Sequence, residues 1–241
     1  NEIRAYLERE KEAGRLTRFG VYFRDLENGP LFGINDRDTF VPASLLKLPV
    51  LLSYMKEAEQ NPALLDEKFT FEWMKQDDLT QYFPPSQTIE PGVPYSIQDM
   101  LYRMTAYSDN ASYHVLLEKL NDLDPNGSLY FDTMREIGLI EPTGNLDETL
   151  SAKAYASIFR ALYNASFISP EYSNLALDML SQSDFLMGLR GGVPDEIKIA
   201  HKFGERSGLE NGQKELHDCG VVYYPQNPYL ICVMVEGYDF M

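Results

Sequence analysis

The sequence has little cysteine, little positive charge and no long apolar run. Two of its 241 residues are cysteines, and neither a C-x-x-C nor an H-x-x-x-H pattern is present, so a disulfide framework and a metal site are not predicted. We interpret Cys219 and Cys232 as small apolar residues of two strands. The sequence has 21 Lys and Arg residues and 37 Asp and Glu residues. The resulting net charge of −16 disfavours binding to nucleic acids and anionic membranes. The longest apolar run, residues 229–235, is far shorter than the roughly 20 residues of a membrane-spanning helix.

The rest of the composition is that of an ordinary globular protein, with 44% hydrophobic and 24% charged residues. A chain of this length suits one large domain or two small ones. It can bury a sizeable core without stabilisation by a metal ion or by disulfide bonds. No cofactor is expected. The chain begins at Asn1 rather than at Met, so we expect a mature or trimmed chain. His114, His201 and His217 share no local motif, and we expect them to be structural.

Strand patterns lie at both ends of the chain, and helical patterns lie between them. The predicted strands are 19–26, 30–34, 197–203, 218–224 and 229–235, and a buried helix is predicted over 45–59. Because sequential strands usually pair, we expect the two ends to form one antiparallel sheet flanked by helices. The sequence therefore predicts an α+β fold, with an α/β subdomain of residues 1–60 and 184–241 and an all-helical insertion of residues 61–183.

Ser44-Leu-Leu-Lys47 lies at the start of the predicted buried helix. A spacing of three brings the Ser44 hydroxyl and the Lys47 amine to one helix face. A buried amine loses its proton more easily than a solvated one and could accept the hydroxyl proton, which would make Ser44 a nucleophile. An S-x-x-K match also arises by chance, and serine is a common helix N-cap, so this pair alone leaves a structural role open.

Two further segments carry polar residues in contexts that suit the same chemistry. Ser108-Asp-Asn110 joins two predicted helices, where the alternative is a helix N-cap. Lys202-Phe-Gly204 lies in the first of the late strands, where the alternative is a solvated lysine followed by a glycine bulge. Each alternative is reasonable by itself, but the three segments in this order favour a shared catalytic role.

The three segments resemble the S-x-x-K, S-D-N and K-T-G motifs of the penicillin-recognising serine enzymes, and in detail the chain is similar to the class A β-lactamase family. The similarity extends over nearly the whole chain. It includes the run 41–49 around the first motif and the stretch 78–82, whose Tyr82 would wall the substrate pocket. The resemblance implies a β-lactamase/transpeptidase-like fold with an active site at the interface of the two predicted subdomains.

The resemblance also implies a role for each motif side chain. Ser44 would be the acylated nucleophile and Lys47 its proton partner, while Ser108 would pass a proton to the leaving nitrogen. Asn110 would hold the substrate amide, and Lys202 would keep the site electropositive near the substrate carboxylate.

The backbone completes the implied site. The N–H groups of Ser44 and Glu205 would form the oxyanion hole, with Gly204 beside Glu205 on the substrate-binding strand. Asp109 is expected to fix its loop by hydrogen bonds rather than to react.

Two departures from the family pattern bear on activity. Phe203 replaces the threonine of K-T-G and cannot donate the hydroxyl hydrogen bond that the family uses on the substrate carboxylate; Arg206 is either a substitute or a solvated surface residue. The segment Glu141-Pro-Thr-Gly-Asn145 retains the Glu and the Asn of the family's E-x-x-L-N stretch within a shorter loop. Glu141 is therefore the candidate deacylating base, with an exposed turn residue as the alternative.

The leading hypothesis is a serine hydrolase that opens β-lactam rings through an acyl-enzyme, an activity associated with antibiotic resistance. The alternatives are a D-Ala-D-Ala peptidase or penicillin-binding protein with slow deacylation, and a non-catalytic binding relative. The implied partner is a small-molecule carboxylate, either a β-lactam or a peptidoglycan-like peptide. We expect a monomer in an extracytoplasmic compartment, without nucleic acid or a membrane span.

Overall fold

The computed structural model describes residues 2–27, 29–72, 81–124, 126, 128–139, 149–207 and 212–240. The helices are α1 (Glu2–Glu12), α2 (Lys47–Gln60), α3 (Ile97–Ala106), α4 (Asn110–Leu123), α5 (Ser128–Glu136), α6 (Ala152–Tyr163) and α7 (Pro170–Leu180). The strands are β1 (Leu16–Asp25), β2 (Leu31–Ile34), β3 (Thr39–Phe40), β4 (Lys68–Phe69), β5 (Tyr95–Ser96), β6 (Leu150–Ser151), β7 (Ile199–Arg206), β8 (Lys214–Val222) and β9 (Tyr229–Gly237). Short 3-10 helices cover Ala43–Leu46, Pro62–Asp66 and Arg190–Gly192. Within these described ranges, no helix has the length and apolar character needed to cross a membrane.

Five strands form one antiparallel sheet in the order β2-β1-β9-β8-β7. The strands β1 and β9 come from opposite ends of the chain and pair from Leu16 opposite Gly237 to Asp25 opposite Tyr229. Their valine, isoleucine, phenylalanine and tyrosine side chains favour this arrangement because β-branched and aromatic residues pack well on a pleated surface. The predicted α+β fold, with an antiparallel sheet drawn from both chain ends, is confirmed.

One face of the sheet carries an apolar cluster. Phe19, Val21 and Ile34 are buried there, and the partly buried Leu7 and Val235 pack against them. Alternate residues of paired strands share a face, which is why the register gathers these side chains on one side. Helix α1 therefore packs on this face through Leu7.

The chain folds into two compact units. Unit 1 comprises Asn1–Leu45, Asn145–Arg160 and Leu186–Met241 and contains the five-stranded sheet, and unit 2 comprises Leu46–Gly144 and Ala161–Phe185. The sequence-based bounds grouped residues 46–60 with the sheet, whereas in the structure these residues belong to unit 2. The reason is that α2 packs against α3, α4, α5 and α7.

A disulfide bond joins Cys219 to Cys232, so the interpretation of both as merely small apolar residues was wrong. The two residues lie directly opposite each other on β8 and β9, with Cα atoms 3.9 Å apart, and both are fully buried. The hairpin connection brings them together across a sequence separation of 13. Strand register decides this proximity, and a cysteine count does not reveal register.

Candidate active site

Ser44 lies in the 3-10 helix Ala43–Leu46, directly before α2 begins at Lys47. The sequence pattern placed Ser44 in the first turn of an α-helix, and the structure instead forms the tighter 3-10 turn there. Ala43 adopts a φ of 49°, in the left-handed region that residues with a Cβ rarely occupy. Strained backbone of this kind clusters at functional sites, where the surrounding structure holds it in place.

Strand β7 passes close to the backbone that flanks Ser44. A Cβ at Gly204 would lie 2.7 Å from the carbonyl oxygen of Pro42 and 3.2 Å from the nitrogen of Leu45. Gly204 itself pairs in regular register with His217, so it does not form the bulge that was the alternative to a catalytic motif. The glycine of K-F-G is therefore required by close approach of this strand to the backbone around Ser44.

Lys202 is buried in β7, so the alternative of a solvated strand lysine was wrong. Its Nζ donates to the backbone oxygen of Phe203 at 2.9 Å and lies 4.3 Å from the centroid of the Phe203 ring. Phe203 is buried as well, and Arg206 at the end of the strand is exposed. The strand thus holds a basic side chain within the fold of a strongly acidic protein, which suits an anionic ligand.

Three of the predicted residues meet inside unit 2. Lys47 is only 2% exposed. Its Nζ donates to the backbone oxygen of Ser108 at 2.6 Å, to the Oγ of Ser108 at 3.1 Å and to the Oδ1 of Asn110 at 2.7 Å. The Ser108 hydroxyl can donate as well as accept, so its contact with Lys47 provides a path for a proton between the two side chains.

The loop between α3 and α4 presents Ser108 and Asn110. Ser108 is buried and adopts a φ of 56°. Asp109 is the N-cap of α4, where its carboxylate accepts the N–H of Ser112 at 3.0 Å and the hydroxyl of Thr88 at 2.7 Å. The expectation that Asp109 fixes the loop by hydrogen bonds is confirmed, and the loop geometry of the S-D-N motif depends on it.

Sequence reasoning missed Gln81. Its Nε2 donates to the backbone oxygen of Ser108 at 3.1 Å, so Gln81 and Lys47 share one carbonyl acceptor. The Oε1 of Gln81 is buried and has no hydrogen-bond partner in the described part of the chain. Tyr82, the predicted pocket wall, is half exposed, and its ring meets Phe83 edge-on at 5.0 Å. The position of Gln81 beside Tyr82, in a stretch that resembles the family, is the signal that could have found it.

Some of the predicted residues fall outside the described ranges. Glu141, the candidate deacylating base, is one of them, and Asn145 is another. Among the described residues, no group of three or more His, Cys, Asp or Glu side chains is placed to hold a metal ion.

The antiparallel sheet from both chain ends, flanked by helices, defines a fold of the β-lactamase and penicillin-binding class, and in it Lys47 contacts Ser108 and Asn110. A family-level sequence comparison matches residues 1–239 to the beta-lactamase enzyme family, and the chain belongs to that family. The resemblance stated from the motifs is confirmed. Membership of an enzyme family supports hydrolase activity in general.

Solved structures of this class are similar along nearly the whole chain. A mutant of PBP-A, determined as its acyl-enzyme complex with penicillin G, is 21% identical, has a TM-score of 0.77 and covers 98% of this chain and 88% of its own. A class A β-lactamase from Mycobacterium abscessus is 21% identical, with a TM-score of 0.77 and coverage of 96% and 88%. A β-lactamase from Chitinophaga pinensis is 20% identical, with a TM-score of 0.78 and coverage of 98% and 91%. At these identities the likeness establishes the fold. A search of curated proteins finds no match.

Proposed function

We propose that this chain is a serine hydrolase that opens β-lactam rings through an acyl-enzyme on Ser44. The observation that carries the proposal is the contact of the Lys47 Nζ with Ser108 and Asn110, because it gathers two widely separated motifs into one buried cluster. Membership of the beta-lactamase enzyme family supports the same chemistry. The family match does not choose among substrates, so the β-lactam substrate is part of the proposal.

In the proposed acylation, the Oγ of Ser44 attacks the lactam carbonyl carbon and its proton passes to the neutral amine of Lys47. The ring C–N bond then breaks, and Ser108 delivers a proton to the leaving nitrogen. The 3.1 Å contact between Lys47 and the Ser108 hydroxyl supports a relay in which the proton taken from Ser44 restores the proton that Ser108 gives up. The N–H groups of Ser44 and Glu205 would stabilise the oxyanion that forms on the carbonyl oxygen.

Substrate binding in this proposal uses one polar and one charged side chain. Asn110 would hold the amide side chain of the substrate, and Lys202 would attract its carboxylate. Tyr82, half exposed in unit 2, would contact the apolar part of the substrate. In deacylation, a water molecule would attack the ester carbonyl while Glu141 takes its proton, and Ser44 would leave with its hydroxyl restored.

One observation favours a second candidate function, a penicillin-binding protein or D-Ala-D-Ala peptidase with slow deacylation. Phe203 stands where the family has threonine, and it is buried rather than turned to solvent. A phenyl ring donates no hydrogen bond to a substrate carboxylate, so recognition of ordinary penicillins loses one directional contact.

Two measurements on one preparation test the proposal. Intact mass is recorded after incubation with benzylpenicillin, and hydrolysis of a chromogenic cephalosporin is followed beside it. Turnover with a transient adduct supports the β-lactamase, whereas a persistent adduct supports the penicillin-binding protein. Absence of both contradicts a catalytic role and leaves a non-catalytic relative of the fold. The Ser44→Ala variant, which loses only a hydroxyl, should form no adduct, and an adduct at the wild-type rate would contradict Ser44 as the nucleophile.

We also propose an extracytoplasmic location for the protein. The disulfide between Cys219 and Cys232 supports it, because disulfides persist in oxidising compartments and are rare in the cytosol. A thiol count on protein isolated from its native host under alkylating conditions tests this proposal. Two free thiols would contradict it.

A further inference from the structure

Two side chains of β8 contact the peptide backbone that leads into Ser44. The Nε2–H of His217 donates to the carbonyl oxygen of Val41 at 3.0 Å, and the N–H of Val41 donates to the Oε1 of Glu215 at 3.4 Å. His217 and Glu215 are two positions apart on one strand, so they project from the same face of the sheet. Val41 is thus held through both its donor and its acceptor.

Both of these side chains are costly to bury. His217 is completely buried and Glu215 is 3% exposed. The Nδ1 of His217 and the Oε2 of Glu215 have no hydrogen-bond partner in the described part of the chain. Buried polar atoms without partners are unfavourable, so packing alone does not explain a histidine and a glutamate here. What the two residues share is the backbone of Val41.

The other side of the Ser44 turn is held as well. The hydroxyl of Tyr155, a fully buried residue of α6, donates to the carbonyl oxygen of Leu45 at 3.0 Å. Between Val41 and Leu45 lies Ala43 with its φ of 49°. A strained backbone persists only where its surroundings over-determine it. The contacts on either side of Ala43 meet this requirement.

We propose that His217, Glu215 and Tyr155 are positioning residues for the nucleophile. They hold the backbone from Val41 to Leu45, which carries the N–H and the side chain of Ser44, in the strained turn. None of the three needs to touch the substrate. The inference rests on the proposed function for its effect on acylation, but its structural part stands by itself and is measured separately.

The test compares Tyr155 with Tyr172, because each donates a hydrogen bond to a different backbone carbonyl. Tyr155→Phe removes the hydrogen bond to Leu45, next to Ser44. The matched control Tyr172→Phe removes a hydrogen bond of 2.9 Å to the carbonyl of Ala58, near the far end of α2. His217→Leu removes the donor to Val41, and His217→Gln keeps a side-chain N–H donor.

Two readouts are recorded for each variant: the rate of acylation by benzylpenicillin from intact mass, and amide hydrogen exchange over residues 41–46. Tyr155→Phe and His217→Leu should acylate about tenfold or more slowly, because small misplacements of reacting groups are expensive, and should exchange faster over residues 41–46. His217→Gln should recover part of both, and Tyr172→Phe should resemble the wild type in both.

Two outcomes separate the inference from the proposed function. If Tyr155→Phe and His217→Leu match Tyr172→Phe in hydrogen exchange over residues 41–46, the positioning role is overturned. If the wild type forms no acyl-enzyme, the proposed function fails, and hydrogen exchange alone then decides whether the turn is held as inferred.

An independent observation concerns a cavity of about 230 Å³ within unit 1. Strands and α6 line it with Tyr22, Arg24, Leu31, Lys153, Ala156, Ser157, Arg160 and Leu230. Its volume is below that of pockets for drug-sized ligands, which begin at about 300 Å³. The cavity therefore suits a small ligand.

The charges around this cavity are all of one sign. Its charged residues are Arg24, Lys153 and Arg160, in a chain where acidic residues outnumber basic ones 37 to 21. Within the part of the chain that the structure describes, none of these three side chains forms an ion pair or a hydrogen bond. Arg103, by contrast, pairs with Asp99 at 3.2 Å. Arg24 is half-buried, and Lys153 and Arg160 are exposed, so a dissolved anion can reach all three side chains from solvent.

The structure assigns this cavity to a small organic dianion, either a dicarboxylate or a phosphate monoester. The planar guanidinium groups of Arg24 and Arg160 can each bind two oxygens of a carboxylate or phosphate, and Lys153 adds a third positive charge. Leu31, which is exposed, offers apolar surface to a short carbon skeleton. No step of the proposed hydrolysis involves this cavity.

Thermal unfolding with succinate, with glycerol 3-phosphate and with chloride at matched ionic strength tests the assignment. Succinate or glycerol 3-phosphate should raise the Tm of the wild type above the chloride value, and the stronger of the two identifies the class of anion. Arg24→Gln and Arg160→Gln should lose this rise, whereas Arg37→Gln, which removes an exposed cation elsewhere in unit 1, should keep it. A rise that chloride matches, or that Arg24→Gln and Arg160→Gln retain, overturns the site.

Discussion

The Nζ of Lys47 and the Oδ1 of Asn110 lie 2.7 Å apart, although 63 positions separate the two residues in the sequence. Lys47 is the first residue of α2, and Asn110 is the first residue of α4. The contact therefore joins two helix starts. The geometry of the proposed proton relay depends on how firmly each of these starts is fixed.

Lys47→Ala should slow acylation by about 10²- to 10⁴-fold, the usual contribution of a positioned base. Lys47→Arg should not restore the rate, because a guanidinium group keeps its proton and cannot accept one from Ser44. Rapid-quench mass spectrometry with benzylpenicillin measures both variants. Acylation at the wild-type rate in either variant would refute the proton-transfer role of Lys47.

Asp109→Ala should lower both stability and acylation, because the loss of the buried N-cap frees the loop that carries Ser108 and Asn110. The loss of stability should be about 2 kcal/mol, at the upper end for an N-cap. Urea unfolding and the acylation rate measure the two effects. Asp124→Ala is the matched control, since Asp124 accepts the N–H of Ser128 at 2.9 Å at the start of α5. That variant should acylate like the wild type, and an equal loss of acylation in both would count against a specific role of the S-D-N loop.

Glu141→Gln should still acylate but should accumulate the acyl-enzyme, because the amide keeps the shape of the side chain and loses its basicity. Deacylation should slow by about two to four powers of ten while acylation is unchanged. Single-turnover rates of both steps on the same preparation separate them. If the variant deacylates like the wild type, Glu141 is a turn residue and another group handles the water.

The stability of the protein should fall as the pH drops from 6.5 to 4 because of His217. Burial lowers the pKa of His217 from its ordinary 6.5 to about 4. The unfolded chain therefore binds a proton in this window that the folded chain does not, and the free energy of unfolding decreases by on the order of 3 kcal/mol toward the acid end. Glu215, whose pKa is raised chiefly by its burial, changes stability with the opposite sign.

The His217→Gln variant isolates this effect, because it retains Glu215 and lacks only the imidazole. Urea unfolding at pH 7.0, 5.5 and 4.0 should show a steeper loss of stability in the wild type than in the variant. Parallel profiles for the two proteins would contradict the assignment of this pH dependence to His217.

Replacing Cys219 and Cys232 together with Ala should reduce the free energy of unfolding by about 2–4 kcal/mol, because the closed loop restricts the unfolded chain. Denaturant titrations of the wild type with and without a reductant, and of the double variant, measure the effect. The reductant should destabilise the wild type and leave the double variant unchanged. Equal stability of the oxidised wild type and the double variant would show that the bond contributes nothing to the fold.

The fold and the order of the motifs could be read from the sequence because they depend on local patterns. The predicted strand 229–235 lies within β9, and the predicted helix 45–59 overlaps α2 (Lys47–Gln60). Hydrophobic periodicity sets such elements over short distances, and polar segments in a fixed order indicate the family. The ends of the elements differ between the prediction and the structure. One such difference is at Ala43–Leu46, which forms a 3-10 helix before α2.

The sequence did not predict which hydrogen bonds the side chains form with distant segments of the chain. Gln81 shares the Ser108 carbonyl with Lys47, and the position of Gln81 beside Tyr82 marks the stretch but not this contact. The sequence predicted only a structural role for His217. Its contact with the backbone of Val41 depends on the packing of the sheet. Partners of this kind are set by how separate elements pack, and sequence spacing carries no information on them.

The amino-acid sequence by itself determined that this protein folds as α+β with a sheet from both chain ends, and that it carries the S-x-x-K, S-D-N and K-F-G segments in the family's order. Only the tertiary structure decided that Cys219 faces Cys232, that Gly204 must be glycine because β7 passes against Pro42, and that Lys47 contacts Asn110. The physical reason is that periodicity and motif order are local properties of the chain. Strand register, close backbone approach and buried hydrogen bonds exist only once distant segments have packed together.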